Sequence, residues 1–142
     1  MPKDIDAVLR MMRRYYEEDE YPFIEADARA AALRLTGNNE FGSLWVAMAG
    51  DRVAGYLAVT LGFSLEYRGR DAFIDELFIA EEHRGQGLGR EAIEIAEAWC
   101  RELGVNALHL EVERHREKAQ KLYRLVGFED HERHLMTKCL KY

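Results

Sequence analysis

With 142 residues, a formal net charge of −6 and two cysteines, the chain suits one domain. Such a domain buries roughly 70% of the surface its unfolded form would expose and needs no disulfide staple. The acidic balance argues against general nucleic-acid binding, and no run of about 18 apolar residues offers a membrane span. Met1-Pro2-Lys3-Asp4 lacks the apolar core of a signal peptide, so a cytoplasmic protein with reduced Cys100 and Cys139 is the expectation.

Asp4 stands where a helix N-cap belongs, and Ile5, Val8, Leu9, Met12 and Tyr16 follow it at helical spacing, with Met11 and Tyr15 widening the apolar stripe. An acidic run, Glu17-Glu18-Asp19-Glu20, separates this helix from a second one predicted over residues 25–35, which stops at Gly37-Asn38. Residues 44–49 and 53–61 are apolar, β-prone runs joined at Gly50-Asp51-Arg52, a hairpin pattern, and residues 73–80 read as a third strand. A helix over residues 87–103 turns Leu88, Ala92, Ile95, Ala96, Trp99 and Leu103 inward and ends at Gly104. Residues 107–112 make a fourth strand, and residues 117–126 a fourth helix closed by Gly127. Residues 128–141 are predicted as a final strand pair, which completes a mixed α/β order in a single domain over residues 1–142.

The densest signal is Arg84-Gly85-Gln86-Gly87-Leu88-Gly89, three glycines at alternate positions between the third strand and the third helix. Glycine lets the backbone turn sharply and approach a ligand, while a helix start offers unpaired N–H groups and the positive end of the dipole. An anionic phosphate fits such a turn. A dinucleotide fingerprint would need glycine where Arg90 stands, and a Walker loop would need Gly-Lys-Ser/Thr, which is absent. A tight turn without any ligand is the lesser alternative for the glycines alone.

Arg84-x-x-Gly87-x-Gly89 resembles the Arg/Gln-x-x-Gly-x-Gly/Ala acetyl-CoA signature of the GNAT N-acetyltransferase superfamily. Phe73-Ile74-Asp75-Glu76-Leu77-Phe78-Ile79 is similar to the family's strand before that loop, and Ala119-x-x-Leu122-Tyr123-x-x-x-Gly127-Phe128 to its tyrosine-bearing helix. Together these motifs carry the resemblance from Leu44 to the C-terminus. It implies the GNAT fold: a central twisted, mixed and mostly antiparallel sheet, splayed near its middle over acetyl-CoA and flanked by about four helices. The family's opening strand would be short or missing, since the helical pattern here begins by residue 5.

The resemblance further implies that the segment Arg84, Gly85, Gln86, Gly87, Leu88, Gly89 and Arg90 seats the CoA pyrophosphate through main-chain amides from Gly85 onward. Leu77, Phe78 and Ile79 would pair with pantetheine through their main chains. Tyr123 would protonate the departing thiolate, where a core aromatic is the plainer reading of its helical spacing. Amine acetylation also requires a group that takes a proton from the acceptor, and Asp75 and Glu76 are adjacent carboxylates in an apolar run. A regular strand points them to opposite faces, but this strand is often bulged in the family, so both stay candidates.

Arg116 departs from the family's frequent Asn. It reaches a CoA phosphate or lies on the solvated helix start with Arg114 and Lys118. The acidic run with Tyr15, Tyr16, Tyr21 and Phe23 falls where the family binds its acceptor, which suits a cationic amine, though a solvated helix end explains it equally. The segment Ser64 to Asp71 is a second candidate wall for that pocket. His83, His109, His115, His131 and His134 have no metal-site spacing, so no metal is expected. The expected activity is direct acetyl transfer from acetyl-CoA to a primary amine of a polyamine-, amino acid- or amino sugar-like molecule or a peptide, by a homodimer, with no nucleic-acid or membrane partner. A non-catalytic acyl-CoA sensor of the same fold and a nucleotide-phosphate binder are the rival readings.

Overall fold

A computed structural model describes residues 4–141, divided after Glu111 into two compact units. The first unit opens with α1 (Ile5–Glu18), whose Ile5, Val8 and Leu9 are buried at the predicted spacing. Asp4 occupies the N-cap without a side-chain cap bond, so burial holds this helix. Each of those three side chains contributes about 1.5–3 kcal/mol when removed from water. Val8 packs with Tyr56, Phe78 and Ala80, and Ile5 and Leu9 pack with Ala32 of α2 (Glu25–Thr36).

The sheet contains β1 (Gly42–Ala49), β2 (Arg52–Ser64), β3 (Gly69–Ile79) and β4 (Ala107–Leu110), in that spatial order. The first three strands are antiparallel, whereas β4 runs parallel to β3 and pairs only from Asp71↔Ala107 to Ile74↔Leu110. Asp4 is the one described residue before α1, so the expected short or missing opening strand lies outside the described residues.

The crossover to β4 is α3 (Leu88–Glu102), which buries Ala92, Ile93, Ala96 and Cys100, one helical stripe. Ile95, expected inward, is 47% exposed, and Ile93 takes its place beside the two small alanines. Trp99 meets Trp45 of β1 edge to face at 5.3 Å.

The second unit holds α4 (Glu117–Leu125). Its described residues form no strand, so the final strand pair expected over residues 128–141 is absent. Residues 129–134 are polar throughout with no alternating apolar face, and Leu135, Met136 and Leu140 are exposed. Strand propensity there has no ladder to satisfy its main-chain groups. Among the described residues no helix is long and apolar enough to cross a membrane.

Candidate active site

The third strand contains a bulge at its acidic pair. Ala58 pairs with Glu76 and Val59 with Ile74, which leaves Asp75 as the extra residue on β3. The strand therefore loses strict alternation where the two carboxylates stand. They interact as like charges, and Asp75 also acts on Tyr16.

Both oxygens of Glu76 are held by phenols: Tyr56 Oη donates to Oε1 at 2.7 Å and Tyr16 Oη donates to Oε2 at 2.5 Å. Burial pushes the Glu76 carboxyl above its ordinary range; the two phenol donors pull it down and Asp75 adds to the rise. Burial, together with the neighbouring Glu76, drives both phenols upward, so each remains an O–H donor. Asp75 is exposed, makes no hydrogen bond or ion pair with a described residue, and is also raised by desolvation.

Beyond Ile74, β3 continues to Ile79 with β2 on one edge and no described strand on the other. The Phe78 carbonyl faces Gly55, and the Ala80 N–H donates to Ala54 at 2.7 Å, so these main-chain groups belong to β2. Alternation then turns Leu77 and Ile79 to the open edge. Phe78, expected to pair along with them, instead has a main chain directed into the sheet and a side chain buried in the core.

The loop that follows begins with a tight turn, Glu81–His83. Gly85 and Gly87 have φ of 78 and 82, the left-handed region that excludes most side chains, and a Cβ on either would meet nothing within 4 Å. These glycines serve the chain's path; space was not the constraint. The first N–H of α3 taken up is that of Glu91, by Gly87 at 3.0 Å. The N–H groups of residues 85–90 donate to no described acceptor, and they include those of Gln86, Leu88, Gly89 and Arg90. Arg90 itself reaches Glu94 at 3.6 Å.

The Arg84 side chain does not extend toward the free amides. Its Nε donates to the Ile79 carbonyl at 2.7 Å, and its Nη2 donates to both Glu18 oxygens at 2.9 and 2.8 Å. Four residues earlier on α1, Arg14 grips Glu82 with two bonds at 2.9 and 2.6 Å, which lowers the Glu82 carboxyl to about 2. Two forks of opposite polarity thus tie the end of α1 to the entry of the glycine loop.

Glu18 is therefore engaged within the fold. Tyr15 stacks on Phe78 at 5.4 Å, and Tyr16 meets Tyr21 and Phe23 edge to face at 6.1 and 5.5 Å, so the aromatic part of that segment gathers around Tyr16. The other expected acceptor wall, residues 64–71, is the β2–β3 hairpin, and Gly69 to Asp75 spans roughly 20 Å of strand. His109 sits between Tyr67 and Phe73 with its Nε2 3.2 Å from buried Asp71. No group of three or more His, Cys, Asp or Glu that could hold a metal occurs among the described residues.

Tyr123 lies on α4, edge to face with Phe128 at 6.1 Å, and burial raises its phenol against the opposing pull of Arg116, which stands at the N-cap of that helix. The sequence did not flag Tyr56 or Tyr16 as partners of Glu76. A hydroxyl-bearing ring within the apolar run of β2 and a carboxylate within that of β3 were the available signal, because buried polar groups seek one another.

The model of the acetyltransferase (GNAT) family matches residues 5–128. The chain belongs to this family. An integron cassette protein from the mobile metagenome of Cole Harbour Salt Marsh has a similar structure: TM-score 0.88, 32% identity, 99% of this chain and 87% of that one covered. An aminoglycoside N-acetyltransferase, AAC(6')-Iy, crystallised in complex with CoA, shares the fold at TM-score 0.84 and 13% identity, with 97% of this chain and 90% of that one covered. Among curated proteins, the uncharacterized N-acetyltransferase YycN of Bacillus subtilis (strain 168) is 32% identical over 65 residues, 46% of this chain. The match spans 42% of the length of that relative.

Proposed function

We propose that this GNAT chain transfers the acetyl group of acetyl-CoA directly to a primary amine. The observation that carries the reading is the continuity of one segment, residues 75–90, which joins a phenol-held, partly buried carboxylate, an open strand edge and a run of free main-chain amides. The donor fits this segment. Amides of residues 85–90 at the start of α3 suit a pyrophosphate, and the Leu77 main chain and the Ile79 N–H suit the amide-bearing pantetheine arm. Acetyl-CoA supplies the activated thioester.

An ammonium has no lone pair, so Glu76 takes a proton from the acceptor, with the like charge of Asp75 supporting its basicity. Open-edge amides of β3 polarise the acyl carbonyl. Tyr123, kept protonated by burial, donates its proton to the leaving sulfur, and Arg116 meets a phosphate or solvent. Direct transfer leaves Cys100 without a role, which agrees with its burial. The acceptor class is a polyamine-, amino acid- or amino sugar-like amine or a peptide.

Thiol release from acetyl-CoA across an amine panel tests this, with Tyr123→Phe expected to lower turnover far more than acetyl-CoA affinity. Tight binding with no release by any amine would instead favour a non-catalytic acyl-CoA module. Undiminished turnover in Tyr123→Phe would remove that residue from the reaction.

A further inference from the structure

We infer that Tyr16 is a positioning residue of this reaction: its phenol is the outer half of a two-phenol clamp that keeps Glu76 ionised, which makes the end of α1 part of the catalytic machinery. The inference rests on the reading of Glu76 as the base. The two halves differ in depth. Tyr56 is 1% exposed and packed with Val8 and Phe78, so its bond to Oε1 is an internal anchor. Tyr16 is only partly buried, ringed by Tyr15, Tyr21 and Phe23, and its bond to Oε2 closes the carboxylate from the α1 side.

The groups that face Glu76 are Tyr16 from α1, Tyr56 from β2 and Asp75 from β3, and Tyr15 adjoins both phenols. No Lys, Arg or His among the described residues bonds or ion-pairs with it. Burial and Asp75 both oppose its charge, so among the described residues the two phenol donors are its specific stabilisation. A phenol that merely packed would not need to reach the carboxylate. This one does, from a helix whose last turns are fastened to residues 82 and 84 by Arg14 and Glu18.

Tyr16→Phe keeps the ring contacts and deletes the donor. Two readouts follow the variant beside the wild type: carbon-13 titration of the Glu76 carboxyl, assigned with Glu76→Gln, and the pH dependence of kcat/KM for one acceptor. Loss of a donor to a carboxylate raises its pKa. Both the carboxyl midpoint and the acid limb of the rate should move up by about one pH unit, about tenfold in rate at a fixed pH on that limb, with recovery at higher pH.

Tyr56→Phe should move both in the same direction, which covers the case of a poorly folded Tyr16 variant. In a Glu76→Gln background, Tyr16→Phe should add no further loss. If neither readout moves in either phenol variant, the clamp is overturned. If the carboxyl titration moves while the rate limb stays, Glu76 is not the base, and the assignment of Tyr16 to the reaction falls with that reading.

Discussion

At Gly87 the chain enters α3 with φ 82 and ψ 4, a conformation that costs a residue with a side chain about 1–2 kcal/mol. Open space around a Cβ there means that Gly87→Ala should show that strain and little else, a small fall in melting temperature. Gly87→Glu adds bulk and negative charge beside the free amides and should abolish acetyl-CoA binding by calorimetry. A folded Gly87→Glu protein with wild-type affinity would displace the pyrophosphate from this loop. The neighbouring carboxylates make a separate forecast. Their folded pKa values are raised, so their contribution to stability is present below the unfolded values, near 4, and is lost as pH rises through the folded ones. Replacing both by Asn and Gln should therefore raise the melting temperature relative to wild type increasingly from pH 4 toward neutrality; a constant difference across that range would contradict it. The sequence exposed the acidic pair and the glycines because both are rare in apolar runs. It did not reveal which way the carboxylates turn, since the bulge at Asp75 is a property of the β2–β3 pairing, nor did it reveal Tyr16, whose helical spacing is satisfied by packing alone.

Helix α1 is joined to the loop entry by two forks of alternating sign, Arg14 to Glu82 and Glu18 to Arg84. The charges are largely exposed and screened by solvent, so these pairs add little to stability and their larger effect is geometric. Arg84→Ala should weaken acetyl-CoA binding several-fold with little change in melting temperature. Glu18→Gln separates two causes: weaker binding means that the fork positions the loop, whereas tighter binding means that Arg84, once released, serves the phosphates directly. Periodicity located α1, α3 and the β1–β2 hairpin to within a few residues, because each has one clean apolar face. It misplaced Ile95, where a stripe of small residues decides the buried face, and it supplied a last strand pair that the described residues do not form.

For the molecule as a whole, the decisive comparison is among ligands. Acetyl-CoA at 100 times its dissociation constant should stabilise the protein by about 2.7 kcal/mol, read as a rise in melting temperature. Stabilisation by ATP or NAD without any by acetyl-CoA would overturn the assignment of the donor. The order of elements and the family were legible in the sequence through motifs that depend on local chain path; the identity of the acceptor was not, because its candidate walls come from side chains that meet only through folding.

The edge of β3 beyond Ile74 carries no described strand. Unsatisfied amides on an extended strand do not distinguish a pantetheine arm from the strand of another molecule, so an edge of this kind is a template for aggregation. Arg84, with its guanidinium on the Ile79 carbonyl, plants a charge at the end of that edge, a guard of the sort that sheet proteins place on exposed strands. On the proposed reading, acetyl-CoA would act as a solubility factor as well as a reactant: each molecule that occupied the edge would remove a sticky surface from the population.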